Sequence, residues 1–245
     1  MNIKLFLTPE DFKPSDLKGK AAVVIDVLRA SSSIVTAFQN QCHQIIPVAE
    51  VETARKLAAS QSKDTTLLCG EREGRKIAGF HLGNSPNEYT LQRVKNKTII
   101  FTSTNGSRLL TKTKQAEATI VAGFLNITAV VSYLTRLDLD VAILCAGSYG
   151  QFSLEDTVCG GLIGAQLFKQ FDKKLVFEDL MLAAMLLSQK FENDTIKMLR
   201  LAKHGRYLIS IGFQNDLVTC AQLDSIDIVP VFQNGLITLP RTEFI

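Results

Sequence analysis

The sequence predicts an α/β fold: a mainly parallel sheet flanked by helices, in three α/β/α layers. Three observations carry this. Short runs of aliphatic and β-branched residues alternate with stretches of helical spacing along most of the chain. Several of those runs, such as "AAVVIDV" (21–27) and "DVAILCAG" (140–147), are continuously apolar, as strands covered on both faces require. Repeated strand-then-helix units join parallel neighbours by crossovers, which put helices on both faces of a sheet. The pattern also admits two closely packed, similar subdomains divided near residues 135–140.

The elements follow in order. "AAVVIDV" is a buried strand, and the "ASSSIVTAFQN" that comes after it reads as a helix. "QIIPVA" (44–49) is the next strand. "VETARKLAASQ" (51–61) is a helix with Val51, Ala54 and Leu57 on one face. "TTLLCG" (65–70) is a strand that runs into a charged, glycine-rich loop. "NKTIIFTS" (96–103) and "EATIVAG" (117–123) are strands, each leading into a helix, "NGSRLLTKTKQ" and "ITAVVSYLTRL" (127–137). "DVAILCAG" is another buried strand, and "LEDTVCGGLIGAQLFKQF" (154–171) a long helix. Beyond it "DLMLAAMLLSQKF" and "DTIKMLRLAKHGRYLISIG" are helical, and "DIVPVFQNGLITL" closes the chain as a strand.

Composition narrows the function. The 245 residues are 46% apolar and 21% charged, which is ordinary globular usage and excludes a disordered chain. A net charge of +3 with scattered basic residues, no Trp and four Tyr excludes a nucleic-acid surface. The charge-free stretch from Ala118 to Thr135 is broken by Gly123, Asn126, Thr128 and Ser132, so it reads as strand, turn and helix and not as a membrane span. Five cysteines with no CxxC argue against structural zinc and for reduced thiols. With no signal peptide in "MNIKLFLTPEDF", the expected location is the cytoplasm. The pattern is compatible with a homodimer.

In an open parallel sheet, ligands bind where strands end and helices begin. Four such loops carry chemistry. In "IDVLRASSS" (25–33), Asp26 ends a buried strand, Arg29 offers a bidentate fork, and Ser31 and Ser32 open a helix. That combination suits an anion. In "FTSTNGSRLL" (101–110), Asn105, Gly106 and Ser107 form a turn able to cradle an oxyanion. In "CAGSYGQFSLEDTVCGG" (145–161), Gly147 and Ser148 bend the loop, and Glu155 with Asp156 are oxygen ligands of the kind Mg²⁺ takes. In "LLCGEREGRKIAGFHLGNSPNEY" (67–89), Glu71 follows a strand directly and is expected at the same sheet edge as Asp26. Arg72, Arg75 and Lys76 bring positive charge there, and His81, Asn84 and Ser85 bring hydrogen-bonding groups. Each loop also has a purely structural reading, as a capped turn or a solvated surface loop. Patterns for cysteine, aspartyl-phosphate and histidine phosphatases, the P-loop and the GxSxG elbow are all absent. Metal-assisted attack by water remains.

Together, "VVIDVLRASSSIVTA", "GEREGRKIAGFHLGNSPNEY", "FTSTNGSRLL", "CAGSYGQFSLEDTVCGG" and "GFQNDLVTCAQLDSIDIVPV" resemble the 2-phosphosulfolactate phosphatase (ComB) family, in the same order over nearly the whole chain. The resemblance implies a Mg²⁺-dependent phosphatase that releases phosphate from (R)-2-phospho-3-sulfolactate, a step of coenzyme M biosynthesis in methanogens. The resemblance does not say which carboxylate does which job; from the loops we expect Asp26, Glu155 and Asp156 to hold the metal and Asp26, Glu71 and His81 to take part in catalysis, with His204 as another candidate acid. Arg29, Ser31, Ser32, Arg72, Arg75, Asn105, Gly106, Ser107, Gly147 and Ser148 bind the polyanion. Asp216 lies in the matching tail, where a surface helix position would serve as well. Two other readings stay open: a phosphatase of another small phosphorylated hydroxy acid, and a non-catalytic anion-binding or regulatory domain.

Overall fold

The computed structural model describes residues 1–171 and 175–240. The strands are β1 (Asn2–Phe6), β2 (Lys20–Ile25), β3 (Gln44–Pro47), β4 (Thr66–Arg72), β5 (Arg75–Lys76), β6 (Thr98–Thr102), β7 (Ala118–Ala122), β8 (Asp140–Cys145), β9 (Val176–Phe177), β10 (Val231–Gln233) and β11 (Leu236–Thr238). The helices are α1 (Ala30–Gln39), α2 (Val51–Ala59), α3 (Leu91–Val94), α4 (Gly106–Lys112), α5 (Ile127–Leu137), α6 (Leu154–Phe171), α7 (Asp179–Phe191), α8 (Thr195–Leu201), α9 (Lys203–Ser210) and α10 (Gln214–Cys220). The strands form one sheet in the order β5-β4-β6-β3-β11-β10-β7-β2-β8-β1-β9. The fold is α/β, with a large, mostly parallel sheet flanked by helices.

Two parallel sets make up this sheet. One is β4, β6 and β3; the other is β7, β2, β8, β1 and β9. The β10–β11 hairpin stitches them together, and its pairings with β3 and β7 are both antiparallel. Three successive antiparallel pairings reverse the strand sense, so the two sets run in opposite directions across the hairpin. The sheet is continuous across residues 135–140: β8 begins at Asp140 and pairs with β2 along its whole length.

Alternation along β2 shows how the layers form. Ala21, Val23 and Ile25 face one core with β1, β8, α5, α6 and α7, while Ala22 and Val24 face a second. That second core also takes Ile45, Cys69, Ile99 and Phe101 from the other strand set, and Ala30, Ile34, Phe38, Leu109 and Leu110 from α1 and α4. So α1 and α4 lie between the two sets, and a third cluster packs α2 outside the smaller one. Nearly every side chain of α1 is buried, three serines included.

The structure corrects the sequence reading in several places. β1, unassigned there, pairs with β8 between it and the edge strand β9. The closing strand is a hairpin, because Asn234 and Gly235 both adopt positive φ (52° and 82°), the turn Asn-Gly favours. The helical stretch after Asp194 breaks at Ala202, whose extended backbone divides α8 from α9. The glycine-rich loop begins as an ordinary strand. β4 runs through Gly70, where an added Cβ would lie 2.1 Å from the Thr102 carbonyl oxygen, so only glycine lets β4 approach β6 while carrying Glu71 forward.

Candidate active site

The loops after β2, β4, β6 and β8 and the start of α9 surround one small cavity of about 20 Å³, walled by Asp26, Leu28, Arg29, Glu71, Gly74, Asn84, Thr104, Asn105, Tyr149 and His204. Asp26 and Glu71 do meet, though not along one sheet edge. Their strands belong to the two oppositely running sets, and the closure of those sets over α1 and α4 brings them together.

Asp26 is 6% exposed. One carboxylate oxygen accepts the Ala30 amide at 3.2 Å, as an N-terminal cap of α1 would. The other faces Gly106, where an added Cβ would come within 2.7 Å of it. Burial first, and then the Glu71 and Glu155 carboxylates, push its pKa up to about 7. Glu71, also 6% exposed, accepts the Gly74 amide at 2.8 Å and the Thr104 amide at 2.7 Å, tying the β4–β5 turn to the β6–α4 loop.

Arg29 is 2% exposed and fully engaged. Its guanidinium donates to Asp216 at 2.7 Å and to the Gly74 carbonyl at 2.5 Å, and it lies 4.4 Å from the centre of the Phe213 ring. The other oxygen of Asp216 accepts from Ser85 Oγ at 2.6 Å and Asn87 Nδ2 at 2.9 Å. The tail residue is therefore a buried partner of the first loop, 187 positions away in the chain. His204 is partly buried on the cavity wall; burial first, then the nearby Arg29 charge, lowers its pKa to about 4, so the ring is neutral at physiological pH.

Several residues expected in the site do other work. The Ser31 hydroxyl accepts the Asp26 amide at 2.9 Å and the Ser32 hydroxyl donates to the Val27 carbonyl at 2.8 Å, so both splint the loop from inside. Ser107 and Ser103 cap one another at the start of α4. Asp156 accepts from the Val27 and Gly147 amides at 2.9 and 3.1 Å, joining the first and third loops with both its oxygens. Burial, with the Glu155 and Asp26 charges, holds its pKa well above the usual carboxylate range. Glu155 is buried beside it and does not wall the cavity, and burial raises its pKa too. Ser148 closes a tight turn with Gln151 whose central residues Tyr149 and Gly150 both adopt positive φ (53° and 71°), and Gly147 just before it has a positive φ of 66°. Arg72 donates to the carbonyls of Glu71 and Ala49 and to the Thr102 hydroxyl, while Arg75 points to solvent. His81 is exposed on the outer side of β4, where Nδ1 accepts the Leu68 amide at 2.9 Å. It does not reach the cavity.

Thr104, one of the loop hydroxyls read as an oxyanion cradle, and Tyr149, to which the sequence gives no role, also wall the cavity. No local pattern marks either one, beyond the run of hydroxyls at 102–104 and the glycines around Tyr149. Among the described residues no three His, Cys, Asp or Glu side chains converge as a metal cluster. Asp26 and Glu71 nevertheless fit a divalent ion, since Mg²⁺ is commonly held by one or two carboxylates with the remaining positions filled by water and substrate phosphate. Neither Glu155 nor Asp156 walls the cavity, so the structure does not bring them to the same place as Asp26 and Glu71.

Comparison with known proteins gives the family. The family profile of 2-phosphosulpholactate phosphatase matches residues 6–235. A protein of Caldanaerobacter subterraneus named as a probable 2-phosphosulfolactate phosphatase is 41% identical over 237 residues, covering 97% of this chain and 98% of its own. Proteins of the same name from Symbiobacterium thermophilum and Thermotoga maritima are 42% and 40% identical, covering 91% and 92% of this chain and 96% and 94% of theirs. The chain belongs to the 2-phosphosulpholactate phosphatase family, a family of phosphoric monoester hydrolases.

Proposed function

We propose that the protein hydrolyses (R)-2-phospho-3-sulfolactate to 3-sulfolactate and phosphate by Mg²⁺-assisted attack of water. Beyond family membership, the observation that carries this reading is the charge balance of the cavity wall. Asp26 and Glu71 bring two carboxylates, while the one guanidinium is already neutralised by Asp216. A polyanion would be repelled from such a wall unless a cation came with it. Bound between Asp26 and Glu71, Mg²⁺ would neutralise phosphate charge and acidify a bound water.

The chain's own residues do the rest. Asp26 or Glu71 would accept the proton of the attacking water, and the departing alkoxide of 3-sulfolactate would take up a proton in turn. Arg29, paired with Asp216 and held by Gly74 and Phe213, keeps the first loop and the β4–β5 turn in place around the cavity. Neutral His204 offers a hydrogen bond without adding charge. The five cysteines are all buried and unpaired, and burial pushes their thiols up (Cys42 to about 12), so none serves as nucleophile. Unpaired thiols also suit a cytoplasmic protein, and among the described residues no helix is long and apolar enough to cross a membrane.

A homodimer is part of this reading. The outer face of α7 carries Asp179, Leu182, Ala183, Leu186 and Lys190, all exposed, with Leu186 at 58%. Spacings of three and four residues place them in one stripe, acidic at one end, apolar in the middle and basic at the other. An antiparallel second copy matches that stripe with itself.

Phosphate release from racemic phosphosulfolactate, with Mg²⁺ and with EDTA, tests the function beside phospholactate and phosphoglycerate. Mg²⁺-dependent release strongest with the sulfonate is expected. Release only from the other acids would replace the substrate, and binding without release would make this a binding module.

A further inference from the structure

We propose that the carboxamide oxygen of Asn84 and the hydroxyl of Thr104 are neutral oxygen ligands of a divalent-cation site whose charged members are Asp26 and Glu71; this rests on the Mg²⁺ reading above. Among the described residues, Asn84 Oδ1 and Thr104 Oγ1 are the buried side-chain atoms without a hydrogen-bond partner. Both residues wall the same small cavity. Buried polar atoms are nearly always satisfied, and two orphans facing one void point to a ligand between them.

Asn84 is held in place for this task. It is 4% exposed, and its backbone carbonyl accepts the Ser33 hydroxyl of the buried helix α1 at 2.7 Å. The next residue, Ser85, is tied to Asp216 at 2.6 Å. Thr104 is fixed through its backbone amide, which donates to Glu71. The wall thus presents four oxygen-bearing side chains whose backbones cannot easily withdraw.

Size and charge decide what the orphans face. A void of about 20 Å³ holds one water-sized particle and excludes an organic acid. A carbonyl oxygen cannot accept from carboxylate or sulfonate oxygens, which carry no proton at neutral pH, and a phosphate monoester is mostly unprotonated there. Beside two carboxylates, a hard cation satisfies every free oxygen at once. The absence of a third His, Cys, Asp or Glu ligand among the described residues is then accounted for, because neutral oxygens take those places.

Mn²⁺ titrated into metal-free protein without substrate, followed by loss of the free-ion EPR signal and competed with Mg²⁺, tests this. Asn84→Ala should weaken binding about tenfold, the usual effect of withdrawing one polar group from a charged partner. Thr104→Val should weaken it in the same direction. Asn84→Asp, which keeps the oxygen and adds charge, should bind at least as tightly as the wild type, and Asp26→Asn should remove binding. If Asp26→Asn loses Mn²⁺ while Asn84→Ala binds normally, the orphans face only water; this inference falls and the proposed function stands. Weakening by Asn84→Asp equal to that of Asn84→Ala would show the amide NH₂ at work on an anion, and would also overturn it. No Mn²⁺ bound by the wild type would overturn both. Melting curves of each variant report folding, and the near-isosteric Asp variant keeps the comparison open should Ala unfold the loop.

Discussion

At Asp26, burial and charge act against ionisation together. A carboxyl raised to about 7 favours the fold at low pH, and that contribution is lost as the pH rises through about 7. His204 acts oppositely: with its pKa lowered to about 4, it favours the fold above the ordinary histidine range, and this is lost as the pH falls toward 4. His204 offsets part of the Asp26 dependence, but the raised carboxyls of Glu155 and Asp156 add to it, so metal-free protein should lose stability as the pH rises toward 7. His204→Asn should steepen this loss, and metal-free protein should then melt higher at pH 5 than at pH 8. Mg²⁺ should raise the melting temperature most above pH 7, where Asp26 is ionised. A Mg²⁺ effect independent of pH would place the ion elsewhere. Asp216 supports a second prediction. Asp216→Ala leaves Arg29 buried without its counter-charge and should cost about 3–5 kcal/mol in urea denaturation.

The elements pack through glycines as much as through leucines. On α6, an added Cβ at Gly161 would lie 2.1 Å from the Ala184 carbonyl oxygen, so α6 and α7 touch backbone to backbone. Gly161→Ala should cost about 1–3 kcal/mol or more, since α7 must move to make room, and an unchanged urea midpoint would refute that contact. The opposite face of α7 is the surface on which the proposed dimer would form. Leu186→Glu should turn a dimer into a monomer in sedimentation without lowering the melting temperature of the monomer fold. A wild type that already sediments as a monomer would dismiss the α7 interface.

For the molecule as a whole, the cavity's small volume bears on how the proposed substrate would bind. Phosphosulfolactate would sit across the cavity mouth or need its rim to open. That rim is the hairpin at Gly74, the turn carrying Tyr149 and the start of α9. The hairpin is fastened by the Tyr207 hydroxyl on the Glu73 carbonyl at 2.9 Å and by Arg29 on Gly74. Hydrogen exchange of residues 72–76 should slow when Mg²⁺ and substrate are both present. Equal exchange with and without them would place the opening elsewhere.

The sequence by itself determined the fold class, most strands and helices, and the family. Those signals are local: apolar runs, helical spacing and turn residues express themselves within a few positions of the chain. It also marked Asp26, Arg29, Glu71 and Asn105, because a charged or polar residue at a strand end is costly unless it has a task. What it left open was which of many similar residues would turn inward. Ser31 and Asp156 look as much like ligands as Asp26 does, yet of the three only Asp26 is turned to the cavity wall. His81 and His204 cannot be told apart by type, and only packing puts one on the outer side of β4 and the other at the cavity. The pairing of Arg29 with Asp216, the reversal of strand sense at the β10–β11 hairpin and the orphaned oxygens of Asn84 and Thr104 depend on contacts between distant segments, which the closing of the sheet over α1 and α4 creates.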